Sequence, residues 1–112
     1  DLVERLSVDP ARIRVVPNAV DARFFGASPP SPEDRARLRL PETYVLVVGT
    51  LEPRKNHRTL FAALRRMPEA DRLPLVVVGR RGWDADAIMR DARSLEAEGS
   101  AVLLDYVDDT LL

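Results

Sequence analysis

Two uninterrupted apolar runs, Tyr44–Val48 and Leu73–Val78, each end at a glycine, Gly49 and Gly79. Runs that are apolar at every position suit strands buried on both faces, and so a parallel sheet. Parallel strands need crossover segments between them, and the chain supplies two. Asn56 to Met67 sets Leu60, Leu64 and Met67 on one helical face; Asp84 to Glu98 does the same with Ile88, Ala92 and Leu95. Asp84 is placed to cap the second helix and Gly99 to close it. Ala101–Leu104 reads as a third strand. The expected fold class is α/β: a partial Rossmann-like, doubly wound parallel sheet with helices on both sides.

The first forty residues are less regular. Residues 1–6 read as the end of a helix, and Arg12–Val16 as a short β-branched strand stopped by Pro17-Asn18. Asp21 to Phe25 is a turn whose two phenylalanines need a packing partner. Gly26 to Pro32 is a Pro- and Ser-rich linker. Ser31-Pro32-Glu33-Asp34 then starts a helix, with proline at its first position and acids in its first turn.

With 112 residues there is room for one domain at most. A net charge of −1 argues against broad electrostatic binding to nucleic acid. No apolar run reaches the length of a membrane span. The chain has no cysteine, which excludes disulfides and thiolate metal sites.

Ligands of such sheets sit at the carboxyl ends of the strands. Three loops therefore matter: Gly49–Lys55, Gly79–Trp83 and Asp105–Asp109. The first carries Arg54 and Lys55, the single lysine of the chain, to the start of a helix whose free N–H groups favour negative charge. Two readings of that pair stand side by side, solvated cations or ligands of a phosphate. Neither glycine loop has the spacing of a dinucleotide fingerprint or a P-loop. Arg80 and Arg81 lie at a strand end, either facing solvent or meeting phosphate, and Trp83 is expected to cap the sheet edge. His57, the one histidine, is expected to make a supporting hydrogen bond. Asp108-Asp109 reads as a helix cap, and no nucleophile–base pair stands out.

Taken together, three segments resemble the retaining glycosyltransferases of the GT-B fold, in the family 4, or group 1, class. Arg14-Val15-Val16-Pro17-Asn18-Ala19-Val20-Asp21 with Phe25 is similar to the I-P-N-G-V-D-x-x-x-F passage between that family's two domains. Val47 to Asn56 resembles V-G-x-x-x-P-x-K-N/G at the start of its donor domain. Leu104 to Leu111 is similar to F-L-G-Y-V-x-D-x-x-L.

The resemblance implies residues 1–20 as the tail of an acceptor domain, 21–41 as an inter-domain linker and helix, and 42–112 as the first half of a nucleotide-sugar donor domain. On this reading the GT-B donor domain is incomplete in the chain. The implied parent is a hexosyltransferase that moves a sugar from a nucleotide diphosphate sugar to an acceptor with retention of configuration. The motif Glu52-Pro53-Arg54-Lys55-Asn56 leans towards a mannosyltransferase-like member. No cofactor and no metal are expected. Gly49, Thr50, Arg54 and Lys55 are implied at the donor diphosphate, and Val107 and Asp109 at the nucleobase. Thr50 stands where many members carry arginine, with Arg54 a candidate replacement; Asp105 and Ala19 stand at usual glycines.

The expected setting is the cytoplasm, with peripheral association at the inner face of the membrane as an option for the parent. Catalytic residues are expected outside the chain, since the paired-glutamate segment of the family would lie past Leu112, and the piece alone is expected to be inactive. Without a fourth strand, Tyr44–Val48 becomes an apolar edge through which the piece is expected to dimerise. The rival function is a non-catalytic nucleotide-binding or interaction module on the same fold.

Overall fold

The computed structural model describes residues 1–108. Three parallel strands form one sheet in the order β1 (Val45–Val48), β2 (Leu75–Val78), β3 (Ala101–Leu104). The register is even across the sheet: Val45 lies opposite Leu75 and Leu75 opposite Ala101, ending with Val48, Val78 and Leu104. Among the described residues, four α-helices accompany the strands: α1 (Leu2–Leu6), α2 (Pro32–Arg37), α3 (His57–Arg66) and α4 (Asp86–Ala97).

Both long helices pack on one face. Leu75 and Val77 of β2 meet Phe61 and Leu64 of α3 and Ile88, Ala92 and Leu95 of α4, with Leu51 and Ala101 closing the cluster. This corrects the expectation of helices on both sides. Two crossovers of the same hand, running on in the same direction across the sheet, deliver both helices to the same face. On the other face Val76, Val78 and Val107 are buried against Leu38, Leu40 and Tyr44. Beside them lies an open cavity of about 440 Å³, bordered by Phe24, Pro29 and Leu46. The central strand is buried throughout, whereas β1 leaves Val45, Leu46 and Val48 exposed at the sheet edge.

Several local expectations change. The core face of α3 is His57, Phe61 and Leu64, while Met67 lies beyond the helix end and is exposed. Asp84 does not cap α4: it adopts a left-handed conformation (φ 45°), and Ala85 holds the cap position without a side-chain bond. Arg12–Val16 is not a strand. Pro10–Arg12 forms a 3-10 turn capped by Asp9, and Val15 and Val16 are exposed with no neighbouring strand among the described residues. β-branched alternation cannot hold a strand that has no partner for its N–H and C=O groups. Trp83 is 62% exposed, so it caps nothing.

Other features follow the sequence. Ser31 accepts a hydrogen bond from the Asp34 amide at the start of α2, with Pro32 in the first turn. Gly99 (φ 72°) ends α4, and the next amide, Ser100, donates to Leu95. Ala22–Gly26 is a 3-10 turn, with Phe25 still exposed. Across the outer surface, Arg58 pairs with Asp91 (2.7 Å) and Arg65 with Glu98 (2.8 Å), tying α3 to α4. The Arg65 hydrogen bond, seconded by Ser94, holds the Glu98 carboxyl below the usual carboxylate range.

Candidate functional site at the carboxyl ends of the strands

The loops after β1 and β2 are nested. A Cβ on Gly79 would sit 1.9 Å from the Gly49 carbonyl oxygen, so only glycine lets these strand ends approach so closely. A Cβ on Gly82 would sit 2.7 Å from Thr50 Cγ2 and 3.1 Å from the Leu51 oxygen. The Leu51 amide donates to Arg80, and the Gly82 amide donates to Leu51. The two loops thus form one unit, in which Gly49 itself has φ 146°.

Past Leu51 the backbone tightens. Pro53–Lys55 is a 3-10 turn, Asn56 is left-handed (φ 54°), and α3 begins at His57. That tight turn folds Lys55 back towards Gly49: its Cε lies 4.0 Å from where a Gly49 Cβ would be. Lys55 and Gly49 therefore lie side by side, with Thr50 next along the same loop.

Arg54 is not equivalent to Lys55. Its guanidinium donates to Glu52 at 2.6 Å, and the Glu52 side chain is only 10% exposed. A nearly buried carboxylate holds that cation, because an unpaired one would be costly. Arg54 thus has a structural partner, although its own side chain is 70% exposed. Arg81 is similarly engaged with Asp86. Among the described residues, Lys55 and Arg80 are the cations of these two loops that pair with no carboxylate. Val107 is buried against the sheet face opposite α3 and α4, near the end of β3. Asp109 lies outside the described residues.

His57 is core rather than surface. It is 3% exposed, tilts against Phe61 at 6.3 Å, and its Nδ1 has no partner. Burial, aided by the Lys55 charge, pushes its pKa below the ordinary 6.5; the Glu52 backbone and charge act the other way. The folded state therefore disfavours the imidazolium. Stability is complete above the unfolded pKa of about 6.5 and falls as pH drops below it towards the folded value. Denaturation midpoints measured between pH 7.5 and 5.5 should fall for the native chain and change less for His57→Leu. An equal loss in both would contradict this role.

Among the described residues no group of three or more His, Cys, Asp or Glu is placed to hold a metal ion. None of their helices is long and apolar enough to cross a membrane.

The chain is 40% identical over 68 residues to the O-antigen chain mannosyltransferase B of Escherichia coli, covering 59% of this chain and 18% of that protein. Its relatives are glycosyltransferases. A second is the N-acetylgalactosamine-N,N'-diacetylbacillosaminyl-diphospho-undecaprenol 4-alpha-N-acetylgalactosaminyltransferase of Campylobacter jejuni, 32% identical over 95% of this chain and 27% of that protein. A third is the D-inositol 3-phosphate glycosyltransferase of Kineococcus radiotolerans, 36% identical over 88% of this chain and 25% of that protein. These likenesses support a glycosyltransferase family. The chain spans between 18% and 27% of the length of these three relatives. No family model and no solved structure matches it.

Proposed function

We propose that this chain carries the diphosphate-binding part of the donor site of a retaining GT-B glycosyltransferase of the family 4 class. The observation that carries the proposal is Lys55, a cation with no carboxylate partner among the described residues, folded over the Gly49 turn at the carboxyl end of β1. The start of α3 adds the partial positive charge of a helix N-terminus. The departing nucleoside diphosphate gains one further negative charge on its terminal phosphate as the bond to the sugar breaks, and the Lys55 ammonium beside those oxygens stabilises it.

In this reading residues 1–20 belong to the acceptor side, 21–41 form the connection, and residues from 42 onward bind the donor. By the family resemblance, the Val107 backbone and Asp109 are assigned to the nucleobase. The whole protein acts in the cytoplasm on a nucleotide sugar and an acceptor, with no metal needed for the transfer. A mannosyl donor is favoured by the 40% identity over 68 residues to the Escherichia coli mannosyltransferase. A non-catalytic nucleotide-binding module is the competing reading.

Calorimetric titration with GDP-mannose, UDP-glucose and inorganic pyrophosphate tests the proposal. One-to-one binding of at least one nucleotide sugar, unchanged by a chelator, is the expected result. No binding of any of the three would overturn it.

The exposed β1 edge bears on handling the chain. Val45, Leu46 and Val48 flank a sheet edge that no other strand pairs with among the described residues, an arrangement that promotes edge-to-edge pairing. Light scattering of the 112-residue chain should show a dimer or larger species as concentration rises. A monomer at high concentration would contradict this.

A further inference from the structure

Asn56 is the joint between the turn that carries Lys55 and the helix behind it. Its backbone is left-handed, with φ 54° and ψ 33°. Residues other than glycine, asparagine and aspartate seldom adopt that conformation. Both sides of the joint are fixed. Upstream, the Lys55 amide donates to the Glu52 carbonyl at 3.1 Å and the Asn56 amide to the Pro53 carbonyl at 3.0 Å, which closes the 3-10 turn. Downstream, His57 is buried and tilts against Phe61, which seats the first turn of α3 in the core. Thr59 holds Asn56 from that helix. Its amide donates to the Asn56 carbonyl at 3.2 Å, and its hydroxyl donates to Asn56 Oδ1 at 2.8 Å.

We infer that Asn56 is a positioning residue for the Lys55 ammonium, acting through its left-handed backbone and touching no phosphate itself. The inference rests on the donor-site reading above and adds to it what aims the lysine. With α3 seated in the core, the two backbone angles of Asn56 decide the direction in which the chain runs back to Lys55. The left-handed pair turns it towards the end of β1, where Lys55 Cε lies 4.0 Å from the position of a Gly49 Cβ. A right-handed or extended residue at the joint re-aims the turn and the lysine with it, and a binding group tolerates displacement of only about 0.5 Å. An asparagine that served the fold alone would lower stability when replaced and leave the affinity of the folded chain unchanged.

The test is calorimetric titration of inorganic pyrophosphate into the native chain, Asn56→Gly, Asn56→Ala and Asn56→Val, and into the Ala and Val variants combined with Lys55→Ala. Each is measured where circular dichroism shows it folded. Asn56→Gly keeps the left-handed joint without steric cost and should bind nearly as the native chain does. Asn56→Val, whose β-branched side chain opposes a positive φ, should weaken binding about tenfold, with Asn56→Ala between the two. In the Lys55→Ala background neither replacement should cost anything further, because the joint acts through the lysine. If the valine variant does not fold, the alanine pair carries the same comparison. Native affinity in the folded Ala and Val variants would refute the positioning role and leave the diphosphate site standing. Equal losses in the Gly and Val variants, or losses that persist without Lys55, would refute it as well. A native chain that binds no pyrophosphate would overturn the donor-site reading, and the positioning role would fall with it.

Discussion

Gly79→Ala is expected to cost the chain about 3 kcal/mol of stability, at the upper end of what overpacking does. The added methyl would lie 1.9 Å from the Gly49 oxygen and 2.7 Å from the Gly49 carbonyl carbon. Both are backbone atoms, so no side chain can rotate out of the way. Relief requires β1 and β2 to separate where Gly49 donates to Val78, and disturbs β2 where Gly79 donates to Leu104 of β3, both at 2.9 Å. Two other glycines serve as internal controls. A methyl added at Gly26 would have nothing within 4 Å and the residue has no positive φ, so Gly26→Ala should be nearly neutral. Gly99 has open space but φ 72°, so Gly99→Ala should cost about 1 kcal/mol through strain alone. Urea midpoints at constant slope would rank the three. A Gly79→Ala midpoint equal to that of Gly26→Ala would show that the two loops are not nested as described.

Lys55→Ala should weaken pyrophosphate and nucleoside diphosphate binding about 10- to 100-fold, the range expected for hydrogen bonds to a charged group. Its fold should be intact, because the side chain is exposed and no carboxylate among the described residues depends on it. Arg54→Ala should behave in the opposite way. Binding should change little, since Glu52 already pairs with that guanidinium, but stability should fall by about 1 kcal/mol as Glu52 loses its partner. This double dissociation separates a ligand-facing cation from a structural one. Equal losses of affinity in the two variants would mean that both cations face the ligand.

Much of the sheet was legible from residue order. Two all-apolar runs ending in glycine, with amphipathic segments between them, led to three parallel strands and two covering helices. The placement of both helices on one face was implicit in the connectivity but needed the strand order to draw out. The buried face of α3 is harder to read, because its first member is a histidine. His57 stands at the i, i+4, i+7 spacing with Phe61 and Leu64, yet apolar periodicity passes over it. The supposed strand at Arg12–Val16 shows the limit of local propensity: Val15 and Val16 alternate suitably but have nothing to pair with among the described residues.

At the site, the sharing of one loop by Gly49, Thr50 and Lys55 was visible in the sequence itself. The capture of Arg54 by Glu52 was not. An i, i+2 ion pair belongs to neither helical nor strand spacing and forms here because a 3-10 turn at Pro53–Lys55 brings the two side chains round. The approach of Arg80 to Tyr106, 5.0 Å from the guanidinium carbon to the ring centre, was equally hidden, since 26 positions in sequence separate residues that the sheet sets side by side.

The location of the donor site is the central claim, and backbone amide shifts of the nitrogen-15-labelled chain on adding GDP or UDP test it most directly. The largest shifts should fall on Gly49, Thr50, Lys55, Arg80 and Tyr106, all at the carboxyl ends of the strands. Shifts centred instead on Glu69, Arg72 and Gly99, which line a cavity at the opposite end of the sheet, would contradict the account, as would no shifts at all.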